Sequence, residues 1–368
     1  MAETTENDVV GDLIAQELSH TPFACSSLRR LFGGTANFVY EGILASTEES
    51  VLIKHTTNYL ASSPDSGFNI DPVRSIYEEY ILRVLDGLAP YSHDNLMVKT
   101  PRVLYFNVKT DTQVLEYLPN SVDLKSFLLS EEFQGVSKPL AQSLGRALGS
   151  WLRHFHNWVR EKQQAESREM LAKNDSMKQL KFSVNYDTLI NTIDNFPEIL
   201  ENSRDVFEKV RGLAAAELKK QPHDEGYGVI HGDFWTGNVL IPKAFLGQSE
   251  VTMFVVDWEM SQISNRGLDL GQMIAEVLQT KLFKQVEGSI WVIDGFLQGY
   301  GHLTDDMAFR TVIHAGVHLI CWGSRVTGWG SQQQIEEVVQ VGKDFIEQGW
   351  MRNKAWFEGG SLEFLFKR

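Results

Sequence analysis

The chain has 368 residues, 43% of them hydrophobic and 11% aromatic, which is enough apolar side chain for one substantial core or two lobes. A formal net charge of −14 argues against a nucleic-acid partner, which needs a basic phosphate-neutralising face, and suits an amine-bearing small molecule. Two cysteines, Cys25 and Cys321, make neither a disulfide framework nor a zinc spacing, and no stretch is apolar for the roughly eighteen residues a membrane helix requires.

The chain opens on Met1 to Asp8, acidic and without the basic-then-apolar pattern of a signal peptide, so a cytoplasmic location is expected. Leu31 to Tyr40 then sets Gly33 and Gly34, the small residues Thr35 and Ala36, and Asn37 ahead of a β-type run ending near Gly42. A glycine pair of this kind lets backbone approach a phosphate closely, and it equally suits a plain turn. Ser50 to Lys54 is an apolar run ending in lysine, the arrangement in which a strand aims an ammonium at nucleotide phosphates; a surface lysine is the alternative. Next, Ile76, Tyr77, Tyr80, Ile81, Val84, Leu85 and Leu88 share one face at about 100° per residue, which predicts a helix. Glu78 falls on the border of that face, whereas Glu79 points away from it with Arg83 four residues on. Glu78 is therefore expected to pair with Lys54. Further on, Val114 to Pro119 is an apolar strand stopped by proline, and Arg160 to Glu169 is a charged helical stretch expected to be solvated.

The densest chemistry lies in Val229 to Ile241 and Phe254 to Glu259. Val239 to Ile241 and Met253 to Val256 read as two short buried strands joined by a polar connector, a hairpin that brings Asn238 and Asp257 together. Phosphoryl transfer from a nucleotide needs a carboxylate to accept the proton of the attacking hydroxyl, together with oxygens that hold magnesium on the phosphates. Asp233 is the expected base, and Asn238 and Asp257 are the expected magnesium ligands, since magnesium takes few protein oxygens and keeps waters and phosphates for the rest. Glu259 adds a further oxygen or contacts the acceptor. His231 is read as a hydrogen-bonding brace for the loop. Towards the carboxyl end, His314, His318 and Trp322 recur every four residues with Arg325 and Trp329 just beyond. Three readings of that face stand open: a zinc pair without a third ligand, core packing, and an acceptor pocket built from His318, Trp322 and Arg325.

These motifs, together with Leu144 to His156 and Gly267 to Gly271, resemble the aminoglycoside phosphotransferase and choline kinase branch of the protein-kinase-like superfamily, over nearly the whole length. Within it, Asp233-Phe-Trp-Thr-Gly-Asn238 and Asp257-Trp-Glu259 look most similar to methylthioribose kinases and fungal hydroxytryptamine kinases. Methylthioribose kinases tend to carry serine at the place of Asn238 and proline at that of Trp258, which weighs against a methylthioribose acceptor. The resemblance implies an α+β, bilobal protein-kinase-like fold. A small lobe over residues 1–117 would have a five-stranded antiparallel sheet and one helix, a mainly helical lobe would cover 118–368, and ATP would lie between them. It also implies that Gly33, Gly34, Thr35, Asn37, Lys54 and Glu78 serve the nucleotide, and that Glu116 and Leu118 contact adenine. Trp235 joins the acceptor-binding residues. The expected activity is ATP- and magnesium-dependent transfer of the γ-phosphoryl group to a hydroxyl of a metabolite, amino alcohol, sugar or antibiotic. A protein kinase would show an Ala-Pro-Glu segment after Asp257, which is missing, and a nucleotide-binding pseudokinase would have lost a catalytic group, whereas each is present.

Overall fold

Asn37–Leu44 alternates between buried and half-buried side chains and so makes a strand with one face on a core. In the computed structural model, which describes residues 8–220, 226–325 and 328–367, this is β2 of a five-stranded antiparallel sheet ordered β1-β2-β3-β7-β6. Its members are β1 (Cys25–Leu31), β2 (Asn37–Leu44), β3 (Ser50–Thr56), β6 (Val103–Asn107) and β7 (Thr112–Glu116). Phe38, Tyr40 and Leu44 from β2, Val51 and Ile53 from β3 and Val114 from β7 form a core with Ile14 and Leu18 of α1 (Val9–Leu18). This helix is additional to the single one the resemblance implies. Its amphipathic signal is blurred because Val9 and Leu13, 62% and 59% exposed, face outward. Asp8 caps it, its Oδ1 accepting from the Gly11 N–H at 3.1 Å and from the Tyr40 hydroxyl at 2.8 Å. The expected helix α2 runs Arg74–Leu85, starting two residues early and ending before Leu88.

By compactness the chain divides into two units: one reaches Gly87 and adds Thr100–Pro119, and the other takes Leu88–Lys99 and everything from Asn120 onward. Residues 88–99 group with the second because β5 (Leu96–Lys99), which follows β4 (Tyr91–His93), pairs in parallel with β11 (Val251–Val255). The second unit's sheet runs β4-β5-β11-β10-β8, with β8 (Ser121–Asp123) and β10 (Val239–Pro242); β9 (Tyr227–Ile230) and β12 (Gln262–Asn265) form a separate antiparallel pair. Around them lie α3 (Leu124–Leu128), α4 (Glu131–Gln134) and α5 (Lys138–Trp158), then an all-helical insert of α6 (Ala165–Leu171), α7 (Asp175–Phe182), α8 (Thr188–Thr192), α9 (Pro197–Leu200) and α10 (Arg204–Glu217). The chain ends with α11 (Gly267–Lys284), α12 (Gly288–Tyr300), α13 (Asp305–His318) and α14 (Gln332–Trp350). Among the described residues no helix is long and apolar enough to cross a membrane.

The charged stretch 160–169 is solvated only in part. Lys162–Gln164 is a short turn, but Arg168 is buried and donates to the carbonyls of Val159 and Glu161, both at 2.7 Å. Two π-type turns, Ser183–Asp187 and Leu319–Gly323, are tied together by Asn185, whose carbonyl accepts from the Cys321 thiol at 3.1 Å and whose Oδ1 accepts from the Trp322 indole N–H at 3.2 Å. Such widened turns re-aim the side chains beside them, here those next to His318.

Candidate active site

The loop between β9 and β10 takes its shape from long-range hydrogen bonds. Asp269, in the first turn of α11, accepts from the backbone N–H groups of His231 at 2.8 Å and Gly232 at 3.0 Å, and from His156 Nε2 of α5 at 3.1 Å. Burial alone would raise the Asp269 carboxyl; the hydrogen bond and charge of His156, with His231 behind it, outweigh burial and hold it below the ordinary carboxylate value. His231 is wholly buried. Its Nε2 donates to the Val256 carbonyl at 3.0 Å and its Nδ1 accepts from the Asp233 N–H at 3.2 Å, so it acts as a brace in the neutral form that burial favours. Gly232 sits at φ +83°, and a Cβ there would lie 2.1 Å from the Met260 carbonyl oxygen, so no other residue fits the bend.

Asp233 emerges from this loop half-buried, with both carboxylate oxygens held. Oδ2 accepts from Asn238 Nδ2 at 3.0 Å, and Oδ1 accepts from Gln272 Nε2 of α11 at 2.6 Å. Because Asn238 spends its N–H₂ on Asp233, including the backbone carbonyl at 2.9 Å, its amide oxygen is turned away from that carboxylate. The β10–β11 register pairs Val239 with Val255, and the Val256 N–H donates to the Asn238 carbonyl at 3.0 Å, so Asn238 and Asp257 stand at neighbouring strand ends. Asp257 has φ +66° and ψ +62°, a left-handed conformation that costs a non-glycine residue energy and that aspartate tolerates better than most. An oxygen of buried Glu259 lies within 4.8 Å of an Asp257 oxygen. Hard oxygens in this number and spacing suit a small divalent cation.

Within the first unit, Lys54 projects from β3 and is 5% exposed; its Nζ lies 2.7 and 2.9 Å from the two carboxylate oxygens of Glu78, itself 1% exposed. Gln113 adds a donor to Glu78 at 3.4 Å, while Glu79 pairs with Arg83 one turn on. Gly33, Gly34 and Thr35 are exposed in the turn between β1 and β2. Asn37 is buried, and its Oδ1 accepts from Thr56 Oγ1 at 2.9 Å and Arg74 Nη2 at 3.0 Å. Arg74, which the sequence did not single out, is wholly buried and also donates to the carbonyls of Ala36 at 3.3 Å and Thr57 at 2.9 Å, fastening the glycine turn from within. Glu116 and Leu118 stand where β7 leaves the sheet, and the Glu116 N–H donates to the Arg102 carbonyl at 2.8 Å.

The chain matches the model of the family described as "Phosphotransferase enzyme family" over residues 73–309. It belongs to that family. A phosphotransferase FrzJ from Cladobotryum sp is 31% identical to it over 365 residues, covering 95% of this chain and 94% of the relative. The 4-hydroxytryptamine kinase of Psilocybe cyanescens is 22% identical, covering 88% of each. Among solved structures, a choline/ethanolamine kinase family protein from Mesorhizobium loti has a TM-score of 0.48 at 16% identity, covering 96% of each chain. Membership of that family makes this protein a phosphotransferase.

In this phosphotransferase the carboxyl-terminal face splits. His318 is buried and its Nε2 meets Glu276 Oε1 at 2.7 Å; His314 is buried with Nδ1 2.9 Å from the Tyr186 hydroxyl, so the two histidines are packed on protein partners. Trp322 stacks on His318 at 6.0 Å yet remains 38% exposed, and Arg325 is exposed at the next turn. Trp235, beside Asp233, is half-buried and faces a cation. The Lys125 ammonium of α3 lies 5.3 Å from its ring, 4.1 Å from that of Trp329, and 3.1 Å from Glu276 Oε2. Burial would raise the Glu276 carboxyl, and His318 and Lys125 together bring it below its ordinary value. Sequence reading missed Glu276, Lys125 and Gln272, and it gave no role to Asp269 within the Gly267 to Gly271 motif, though Asp269, Gln272 and Glu276 fall on one helical face at steps of three and four residues inside α11.

Proposed function

We propose that this phosphotransferase moves the γ-phosphoryl group of ATP to a hydroxyl of a small molecule, with Asp233 as the general base. The observation that carries the reading is the clamp on Asp233: two amide donors, Asn238 Nδ2 at 3.0 Å and Gln272 Nε2 at 2.6 Å, fix the carboxylate plane without neutralising it. A carboxylate so held can take the hydroxyl proton as the oxygen attacks phosphorus. Asn238 through its amide oxygen and Asp257 through its carboxylate would hold magnesium, which when bound neutralises phosphate charge and orients the transferring group. In the first unit, Lys54, kept extended by Glu78, is assigned to the phosphates, Gly33, Gly34 and Thr35 to the covering turn, and Glu116 and Leu118 to adenine. Gly33 supports this, since its φ of +118° suits glycine and a Cβ there would meet nothing within 4 Å, leaving room for a ligand. Asn37 serves the turn indirectly, through Thr56 and Arg74. On the acceptor side we assign Trp235, Trp322, Arg325 and the carboxylates of Glu259 and Glu276, with His318 behind them. An exposed indole, Trp322, and a half-buried one, Trp235, beside buried acidic groups suit an acceptor with an aromatic or aliphatic body and an amine.

The test is acceptor-stimulated ADP release from magnesium ATP with choline, ethanolamine, methylthioribose, 4-hydroxytryptamine and kanamycin, using Asp233→Asn as blank. The variant is expected to bind ATP as wild type does and to lose about a hundred- to ten-thousandfold in rate with the stimulating acceptor. A fully active variant removes Asp233 from the role of base. ATP binding without release above the blank for any acceptor favours a nucleotide-binding module.

A further inference from the structure

We propose that Lys181, contributed by the helical insert, is a positioning residue for the catalytic base and acts on it through Gln272. The proposal rests on the assignment of Asp233 as base. Lys181 lies in the last turn of α7 and is 5% exposed. A buried ammonium ordinarily sits directly against a carboxylate. Here its Nζ donates instead to the amide oxygen of Gln272, and the other end of that amide donates to Asp233 Oδ1 at 2.6 Å.

The interposed amide makes the lysine consequential. A glutamine side chain can be turned end for end at little intrinsic cost, and its two orientations are told apart by their partners. With an ammonium at one end and a carboxylate at the other, only one orientation is tolerated: oxygen towards Lys181, N–H₂ towards Asp233. Remove the ammonium and only the carboxylate still selects that orientation: the amide loses the anchor on its oxygen, can swing away from Oδ1, and leaves the base free to rotate about its remaining bond. Asn238 alone cannot prevent that rotation, because it holds only Oδ2. Lys181 therefore links the insert, 91 residues away in sequence from Gln272, to the orientation of the proton acceptor. A misplacement of about an ångström at a reacting group can cost a hundredfold in rate.

The experiment measures phosphate release from magnesium ATP labelled at the γ-position, with water as the acceptor and the full-length enzyme in excess over nucleotide. Lys181→Met and Gln272→Met are each expected to slow release about ten- to a hundredfold with ATP affinity unchanged, and the double variant to be no slower than Gln272→Met alone. Multiplying losses, or a Lys181→Met enzyme as fast as wild type, overturns the proposal, since a lysine that merely stabilises the fold would lower the melting temperature without this coupling. Gln272→Glu covers the case in which Lys181→Met does not fold. It keeps a partner for the ammonium but brings a second carboxylate to Asp233, so a well-folded Gln272→Glu enzyme of wild-type rate also overturns the proposal. If wild type releases no more phosphate than Asp233→Asn, the assignment of the base falls and this inference with it. If it releases more while Lys181→Met is unimpaired, only this inference falls.

Discussion

A single carboxylate, Asp269, holds three N–H donors that would otherwise be buried without partners, those of His231, Gly232 and His156. Asparagine in its place offers one acceptor oxygen, and its N–H₂ must face one of those donors. Each buried polar group left unsatisfied costs about 1–3 kcal/mol. We therefore expect Asp269→Asn to lower unfolding free energy by about 2–3 kcal/mol, read from the urea midpoint, and to slow turnover because the loop carrying Asp233 loses its shape. A change within about 0.5 kcal/mol would place the hub elsewhere. The effect on rate would come without any contact between Asp269 and substrate, since Asp269 bonds the backbone that aims the base and the buried His156 ring.

At the scale of elements, α5 and α12 approach so closely that backbone meets backbone. A Cβ on Gly149 would lie 2.0 Å from the Phe296 carbonyl oxygen, one on Gly145 2.1 Å from that of Val292, and one on Gly295 2.1 Å from that of Gln142. Gly149→Ala is expected to force the pair apart and cost about 1–3 kcal/mol, checked by calorimetric melting. It should also stretch the 2.9 Å contact between His156 on α5 and the Tyr300 hydroxyl on α12, and so loosen Asp269. A normal melting temperature would mean the helices can part without loss. Much of this architecture could be read from sequence where partners are close in the chain. The hairpin of β10 and β11 follows from two apolar runs and a polar connector, and the contact of Asp233 with Asn238 spans five residues. What escaped is long-range. Asp269 to His156 spans 113 residues, Lys125 to Glu276 spans 151, and Gln272 to Asp233 spans 39, and a polar side chain inside an otherwise buried helix carries no mark of what it will meet. Helix α1 escaped for another reason, since its exposed Val9 and Leu13 break the amphipathic pattern.

For the molecule as a whole, buried histidines set the response to acid. His156, His231 and His314 are each wholly buried in the second unit, and burial, the largest influence on each, pushes all three below the ordinary value, His314 furthest, with Lys181 and Arg310 adding to it. An unfolded histidine takes up its proton near pH 6.5. Between that value and the lower folded ones the unfolded chain binds more protons than the native state, so stability falls as pH falls. Asp269 and Glu276 work in the same direction at lower pH: their stabilisation is complete above the unfolded carboxylate range near 4 and is lost as pH drops through their depressed folded values. The urea midpoint should hold steady above about pH 7 and decline from about pH 6.5 downward, ahead of the loss contributed by Asp269 and Glu276. His314→Gln, which cannot be protonated, should shrink that first decline while leaving the later one in place. A midpoint that is flat from about pH 7 to 5 would mean the buried imidazoles can charge within the fold, contrary to their enclosure.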